Sequence, residues 1–97
     1  MELGGRDFSG TASYYWEGSQ VASGGHYDPD GLTAAHRTLP FGTRLQVTDL
    51  ISNRSVVVTV NDRGPFVAGR VLDLSRGAAQ ALGMIQRGVT RIHASVM

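Results

Sequence analysis

Residues 55–60, Ser55-Val56-Val57-Val58-Thr59-Val60, form a nearly unbroken β-branched run that ends abruptly in Asn61-Asp62-Arg63-Gly64-Pro65-Phe66. Continuous apolar character over this length marks a strand covered on both faces or closed into a barrel, not one half-exposed to water. Gly64 admits backbone conformations closed to other residues, and Pro65 restricts Gly64 while supplying no N–H, so strand pairing is expected to stop there. Asp62 therefore sits where a rigid strand gives way to a turn, and its carboxylate has a fixed direction. Its plainest role is to accept hydrogen bonds from the amides of its own turn. Its sharper role is to present a carboxyl group at the end of the strand.

The rest of the sequence narrows the architecture. At 97 residues the chain suffices for one domain with one modest core. Its 13 glycines argue for many tight turns, as in a small β-barrel. Residues 8–16 are rich in strand formers and close on Tyr14, Tyr15 and Trp16; alternation sends Tyr14 and Trp16 to one side and Tyr15 to the other. Residues 17–31 read as a polar, glycine-rich loop of functional length, followed by a short element over 32–36, strand or single turn. Residues 44–50 alternate as a half-buried strand, and 51–54 form a hairpin loop into the central run. Residues 71–74 form another strand, after which Ser75 caps a helix through Leu82 that Gly83 stops. The last strand, 89–96, has Val89 and Ile92 out of phase by one, which predicts a bulge. The sum is mainly β, with six short strands and one short helix, closed on itself because open edges invite aggregation. Residues 1–8 read as a lead-in and 9–97 as the domain.

Several classes of function are excluded or disfavoured. Cysteine is absent, so thiolate metal sites and disulfides are impossible. His26, Asp28, His36 and Asp62 show no ligand spacing of a known kind, so neither a metal nor another cofactor is expected. All nine basic residues are arginine, yet the net charge is only +1, which leaves no broad basic field for nucleic acid. No apolar run approaches the roughly 20 residues that cross a bilayer, and residues 1–6 lack the pattern of a signal peptide. Arg70 and Asp73 are spaced to form an ion pair across a turn, and His93 is expected to pack across strands or lie at the surface.

Longer strings then align with a known family. Gly10-Thr11-Ala12-Ser13-Tyr14-Tyr15, Ala22-Ser23-Gly24 with Tyr27-Asp28, residues 32–43, Asn61-Asp62-Arg63-Gly64-Pro65-Phe66 and residues 69–75 occur in the order found in the RlpA (rare lipoprotein A) domain. The resemblance runs from about Gly10 to the C-terminus. It implies a double-psi β-barrel and endolytic lytic transglycosylase activity on peptidoglycan glycan strands stripped of their stem peptides. It also implies a bacterial cell-envelope or periplasmic setting, export usually as a lipoprotein, and encounters with envelope or septal proteins. Carried over by position, the family's acid falls on Asp62 and its histidine on His36, with His36 expected to hold Asp62 or the sugar through a hydrogen bond. Tyr14, Tyr15, Trp16, Tyr27 and Arg63 are expected to contact substrate. One position departs: where active members have Glu just ahead of the Tyr-Asp pair, this chain has Gly25, with Glu17 and His26 in the same loop as substitutes. A lytic transglycosylase uses the sugar's own 6-hydroxyl as nucleophile, so a single carboxyl group can act as acid and then as base. The departure implies a weakened enzyme or, as the alternative, a barrel that binds glycan or a partner without cutting.

Overall fold

A computed structural model describes residues 7–15, 18 and 20–97. Six strands run in the order β1 (Asp7–Tyr15), β2 (Thr33–Ala35), β3 (Arg44–Asp49), β4 (Ser55–Asp62), β5 (Arg70–Ser75) and β6 (Val89–Val96), with one helix, α1 (Arg76–Leu82), between β5 and β6. They close into a barrel in the spatial order β1-β5-β2-β4-β3-β6. Two pairings are parallel, β1 with β5 and β2 with β4, and the others are antiparallel. This is the closed six-stranded barrel with one helix that the strand count demanded. Asp7 and Phe8, two residues ahead of the expected domain start, already pair with Ser95 and Ala94.

The core follows from period-two alternation in every strand. Leu45 and Val47, Val56, Val58 and Val60, Leu72 and Leu74, and Ile92 and Ala94 all point inward, and Ala78, Ala79 and Leu82 of α1 close one side. Ser75 caps α1 by accepting from the Ala78 amide at 3.2 Å, and Gly83 ends it with φ 75°. The bulge expected in β6 is absent; its pairing with β1 and β3 is regular. The inward position belongs to Thr90 and not Val89, because the Thr90 hydroxyl has a buried partner in Asp49 at 3.0 Å. The irregularities lie instead at Thr11/Ala12, in the β1–β5 pairing, and at Ala34/Ala35, in the β2–β4 pairing.

Asp49 is fully buried and anchors the closed side of the barrel. Its Oδ1 accepts from the Ile51 and Ser52 amides and from Thr90, while Oδ2 pairs with Arg87 at 2.8 Å. Arg87 also donates to Thr90. One buried carboxylate thus ties the β3–β4 hairpin, β6 and the segment after α1 together.

Candidate active site on the outer face of the barrel

β2 is only three residues long, but it separates β4 from β5 and sets their relative level. Its Ala35 stands opposite Asp62 on one side and Asp73 on the other. With strands about 4.8 Å apart, the two aspartates sit at one height, roughly 10 Å apart across β2 at the backbone. The irregularity at Ala34/Ala35 makes this alignment, because it carries the register from Val60 to Asp62 in a single step of β2. On the other flank of β5, Ser13 of β1 stands opposite Asp73 and donates its hydroxyl to Asp73 Oδ1 at 3.1 Å. Two residues further along β1, on the same face as Ser13, comes Tyr15.

Asp62 is half-buried, the last residue of β4. Among the described residues, both hydrogen bonds to its side chain fall on Oδ1, from the amide of Arg63 and from that of Ala22 in the loop above, each at 2.9 Å. The turn thus contributes one of the amides expected of it and a distant loop contributes the other. Together they orient the carboxylate, with Oδ2 as the oxygen not engaged by either. Gly64, with φ 128°, and Pro65, joined by a cis peptide bond, end the strand at the expected place.

The electrostatics of the face are those of two carboxylates and a phenol in partial shelter. Burial raises the pKa of Asp73, and the negative charge of Asp62 adds to this against the opposing effects of the Ser13 hydrogen bond and the Arg70 charge. Arg70 therefore acts on Asp73 through space; the ion pairs among the described residues are Arg76–Asp30, Arg87–Asp49 and His93–Asp7. Tyr15 is held well above the ordinary phenol range, first by burial and then by Asp62, Tyr27 and Asp73. Its hydroxyl is buried with no hydrogen-bond partner among the described residues, an uncommon state for a polar group.

The structure distributes the other expected site residues differently. Tyr14 points to the opposite side from Tyr15, packs against the core and donates to the Ile85 carbonyl at 2.8 Å. It is a packing residue, not part of the face that carries Asp62. Trp16 and Glu17 lie outside the described residues. Tyr27 is buried at 8% exposure and stacks under Tyr15, ring centroids 4.4 Å apart. Its hydroxyl donates to the Tyr15 carbonyl and accepts from the Arg76 amide, so it braces the tyrosine wall against α1.

Arg63 turns away from Asp62. Its guanidinium donates to the carbonyls of Leu39 at 2.7 Å and His36 at 3.2 Å and lies 4.0 Å over the Phe41 ring, a clamp on residues 36–41. His36 meets Asp62 through the backbone, its amide donating to the Asp62 carbonyl at 3.2 Å. The expected side-chain hydrogen bond to the carboxylate is not among those of the described residues. Nδ1 of His36 instead accepts from the Thr38 and Leu39 amides, both at 3.1 Å, which leaves the proton of the neutral ring on Nε2. Burial, followed by the charges of Arg63 and Arg37, lowers its pKa and favours that neutral ring. The ring tilts against Phe8 and lines a cleft of about 530 Å³ with Phe8, Leu39 and Val71.

A family model described as lytic transglycolase matches residues 7–94. The chain belongs to this family. Among relatives of this lytic transglycolase domain, a probable endolytic peptidoglycan transglycosylase RlpA of Nostoc is 52% identical over 95 residues, covering 93% of this chain and 26% of the relative. An endolytic peptidoglycan transglycosylase RlpA of Campylobacter jejuni is 46% identical over 96 residues, covering 96% of this chain and 35% of the relative. The chain thus spans about a quarter to a third of the relatives it matches. Of solved structures, the Streptomyces papain inhibitor superposes with a TM-score of 0.78 at 24% identity, covering 97% of this chain and 96% of that one. A mutant Clavibacter michiganensis expansin in complex with cellohexaose superposes at 0.74, also with 24% identity, covering 94% and 50%. The lytic transglycolase barrel is therefore a double-psi β-barrel.

Sequence reasoning read Asp73 only as an ion-pair partner for Arg70 and did not single out Ser13. A signal for the first was present: in Leu72-Asp73-Leu74 an acid alternates with two buried leucines, which puts it on the outer face of a barrel strand. The pairing with Ser13 rests on a parallel contact between residues 60 positions apart, which no local pattern reveals.

Proposed function

We propose that this domain acts on bacterial peptidoglycan as an endolytic lytic transglycosylase, cleaving glycan strands with formation of 1,6-anhydro ends. The observation that carries this reading is the alignment of Asp62 and Asp73 across β2, with burial and the charge of Asp62 favouring the protonated form of Asp73. When two carboxyl groups differ in environment, the one whose pKa is raised supplies the proton. Asp73 then protonates the oxygen leaving C1 of the muramic sugar as the C1–O bond breaks. The 6-hydroxyl oxygen of the same sugar bonds to C1, and its proton returns to the Asp73 carboxylate, which restores the acid. The negative charge of Asp62 faces the positive charge that develops at C1, and Tyr15, backed by Tyr27, stands beside the carboxylate pair. His36 and Arg63 serve by holding residues 36–41 beside Asp62. The names of the relatives support the substrate class and, with it, work in the bacterial cell envelope; a periplasmic setting and a lipid-anchored precursor belong to the same proposal.

The test is mass spectrometry of native and peptide-stripped peptidoglycan after incubation with wild type, Asp62→Asn and Asp73→Asn. Release of 1,6-anhydromuramic products should fall by about 10²-fold or more in each variant; full release by either variant sinks its assigned role. Gly25, standing where active members have Glu, favours a second reading in which this face binds glycan or a partner without cutting. Retention of wild type on stripped glycan with no anhydro product would select it.

A further inference from the structure

The loop joining β4 to β5 carries the most exposed large apolar side chain of the described residues. Phe66 is 80% exposed and its neighbour Val67 is 52% exposed. Aromatic rings ordinarily give up such exposure on folding, since burying one stabilises the fold by about 1.5–3 kcal/mol. Here the exposure is built in. The Arg37 guanidinium donates to the carbonyls of Pro65 at 2.6 Å, Val67 at 3.1 Å and Arg70 at 3.1 Å, fixing the loop on both sides of Phe66. Pro65 is buried, and the Phe66 ring lies over Gly64, 3.6 Å from where a Cβ of that residue would stand. The ring is thus seated four residues from Asp62 while remaining open to solvent.

Topology sets its place relative to the carboxylates. β5 runs from Arg70 to Ser75 with Tyr15 opposite Ser75, so Tyr15 lies about 6–7 Å beyond Asp73 along the strand. Phe66 precedes Arg70 and lies to the other side of the same level. By level along the strands the order is Tyr15, then Asp73 with Asp62, then Phe66. An aromatic side chain thus stands at a level on each side of the carboxylate pair.

We propose that Phe66 is a sugar-stacking platform, a further binding subsite that receives the apolar face of a glycan ring one or more units away from the cleaved bond. The proposal rests on the glycan-directed reading above, yet concerns binding and not bond cleavage. A hexose offers C–H faces that pack on an aromatic ring, and a pre-fixed ring loses little conformational freedom on contact. Phe66→Ala removes the platform, while Phe66→Tyr and Phe66→Trp keep it. Binding of soluble, peptide-free glycan strands is measured by calorimetry for wild type and all three variants, with anhydro-product release recorded in parallel. Phe66→Ala should bind about tenfold more weakly, with Tyr and Trp near wild type and melting unchanged in all. Binding of Phe66→Ala within twofold of wild type, or no glycan binding by wild type, overturns the platform. Failure of the cleavage reading shows separately, as wild type that binds but releases no anhydro product.

Discussion

Replacing Gly25 by Glu places a carboxylate at the one functional position where the chain departs from what the family resemblance leads one to expect, and the structure fixes what the change costs. A Cβ at Gly25 meets nothing within 4 Å, and the residue is exposed. Its carbonyl accepts from the Val21 amide at 2.9 Å, an interaction indifferent to the side chain. The same turn presents the Ala22 amide to Asp62, so the new carboxylate enters on the loop that already touches the site. Folding stability should change by no more than about 0.5 kcal/mol, since substitution at an open surface position is near neutral. Gly24 provides the control. Its φ is +107°, so Gly24→Glu places the same charge one residue away at a backbone cost of about 1–2 kcal/mol. For a domain of this size that lowers Tm by about 4–8 °C per kcal/mol. If a second acid/base group is what the chain lacks, Gly25→Glu should raise anhydro-product release by about 10²–10⁴-fold, and Gly24→Glu should not. The assay pairs thermal melting with mass spectrometry of digested glycan. An unchanged rate for Gly25→Glu with intact melting refutes the argument that this position limits cleavage, and an equal gain from Gly24→Glu shows that charge and not placement is responsible.

Three further outcomes concern the frame. Asp49→Ala strands Arg87, Thr90 and two amides around a fully buried position, and should cost about 3–5 kcal/mol in urea denaturation; a loss below about 1 kcal/mol contradicts the anchoring role. Burial alone would raise the Asp49 pKa, but Arg87, the Ile51 and Ser52 amides and Thr90 outweigh it and hold the group below its ordinary value. Its contribution is therefore fully present above the unfolded carboxylate pKa of about 4 and is lost as pH falls through the depressed folded value, so denaturation between about pH 5 and 2 should be steeper for wild type than for Asp49→Asn. Gly77→Ala sets a methyl 2.8 Å from the Asp30 carbonyl oxygen and 2.9 Å from that of Gly31; it should destabilise the domain by about 1–3 kcal/mol, read by the same denaturation curves.

What was legible in the sequence was what local chemistry decides. The Ser75 cap and Gly83 stop bracket α1 as read, and Gly64 and Pro65 end β4 with Asp62 at its tip. Closure of six strands followed from their number and shortness. The site was legible only in part, because its defining alignment is non-local: Asp62 and Asp73 meet through a three-residue strand whose register steps at Ala34/Ala35. His36 shows the other limit. Its histidine type and family position fitted a partner for Asp62, but two amides two and three residues ahead occupy Nδ1. The phase of β6 was misread because a buried threonine counts as polar in a pattern, although its hydroxyl is satisfied inside by Asp49.

The antiparallel meeting of β1 and β6, with Asp7 opposite Ser95, brings the polypeptide into the barrel and out of it at one pole. Since β1 runs alongside β5 in the same direction, that pole is also the one spanned by the Phe66 arch. In relatives where this barrel is a minor fraction of the whole chain, whatever is fused before or after it hangs from a common rim. The opposite pole, with Tyr27 and the start of α1, faces away from that rim.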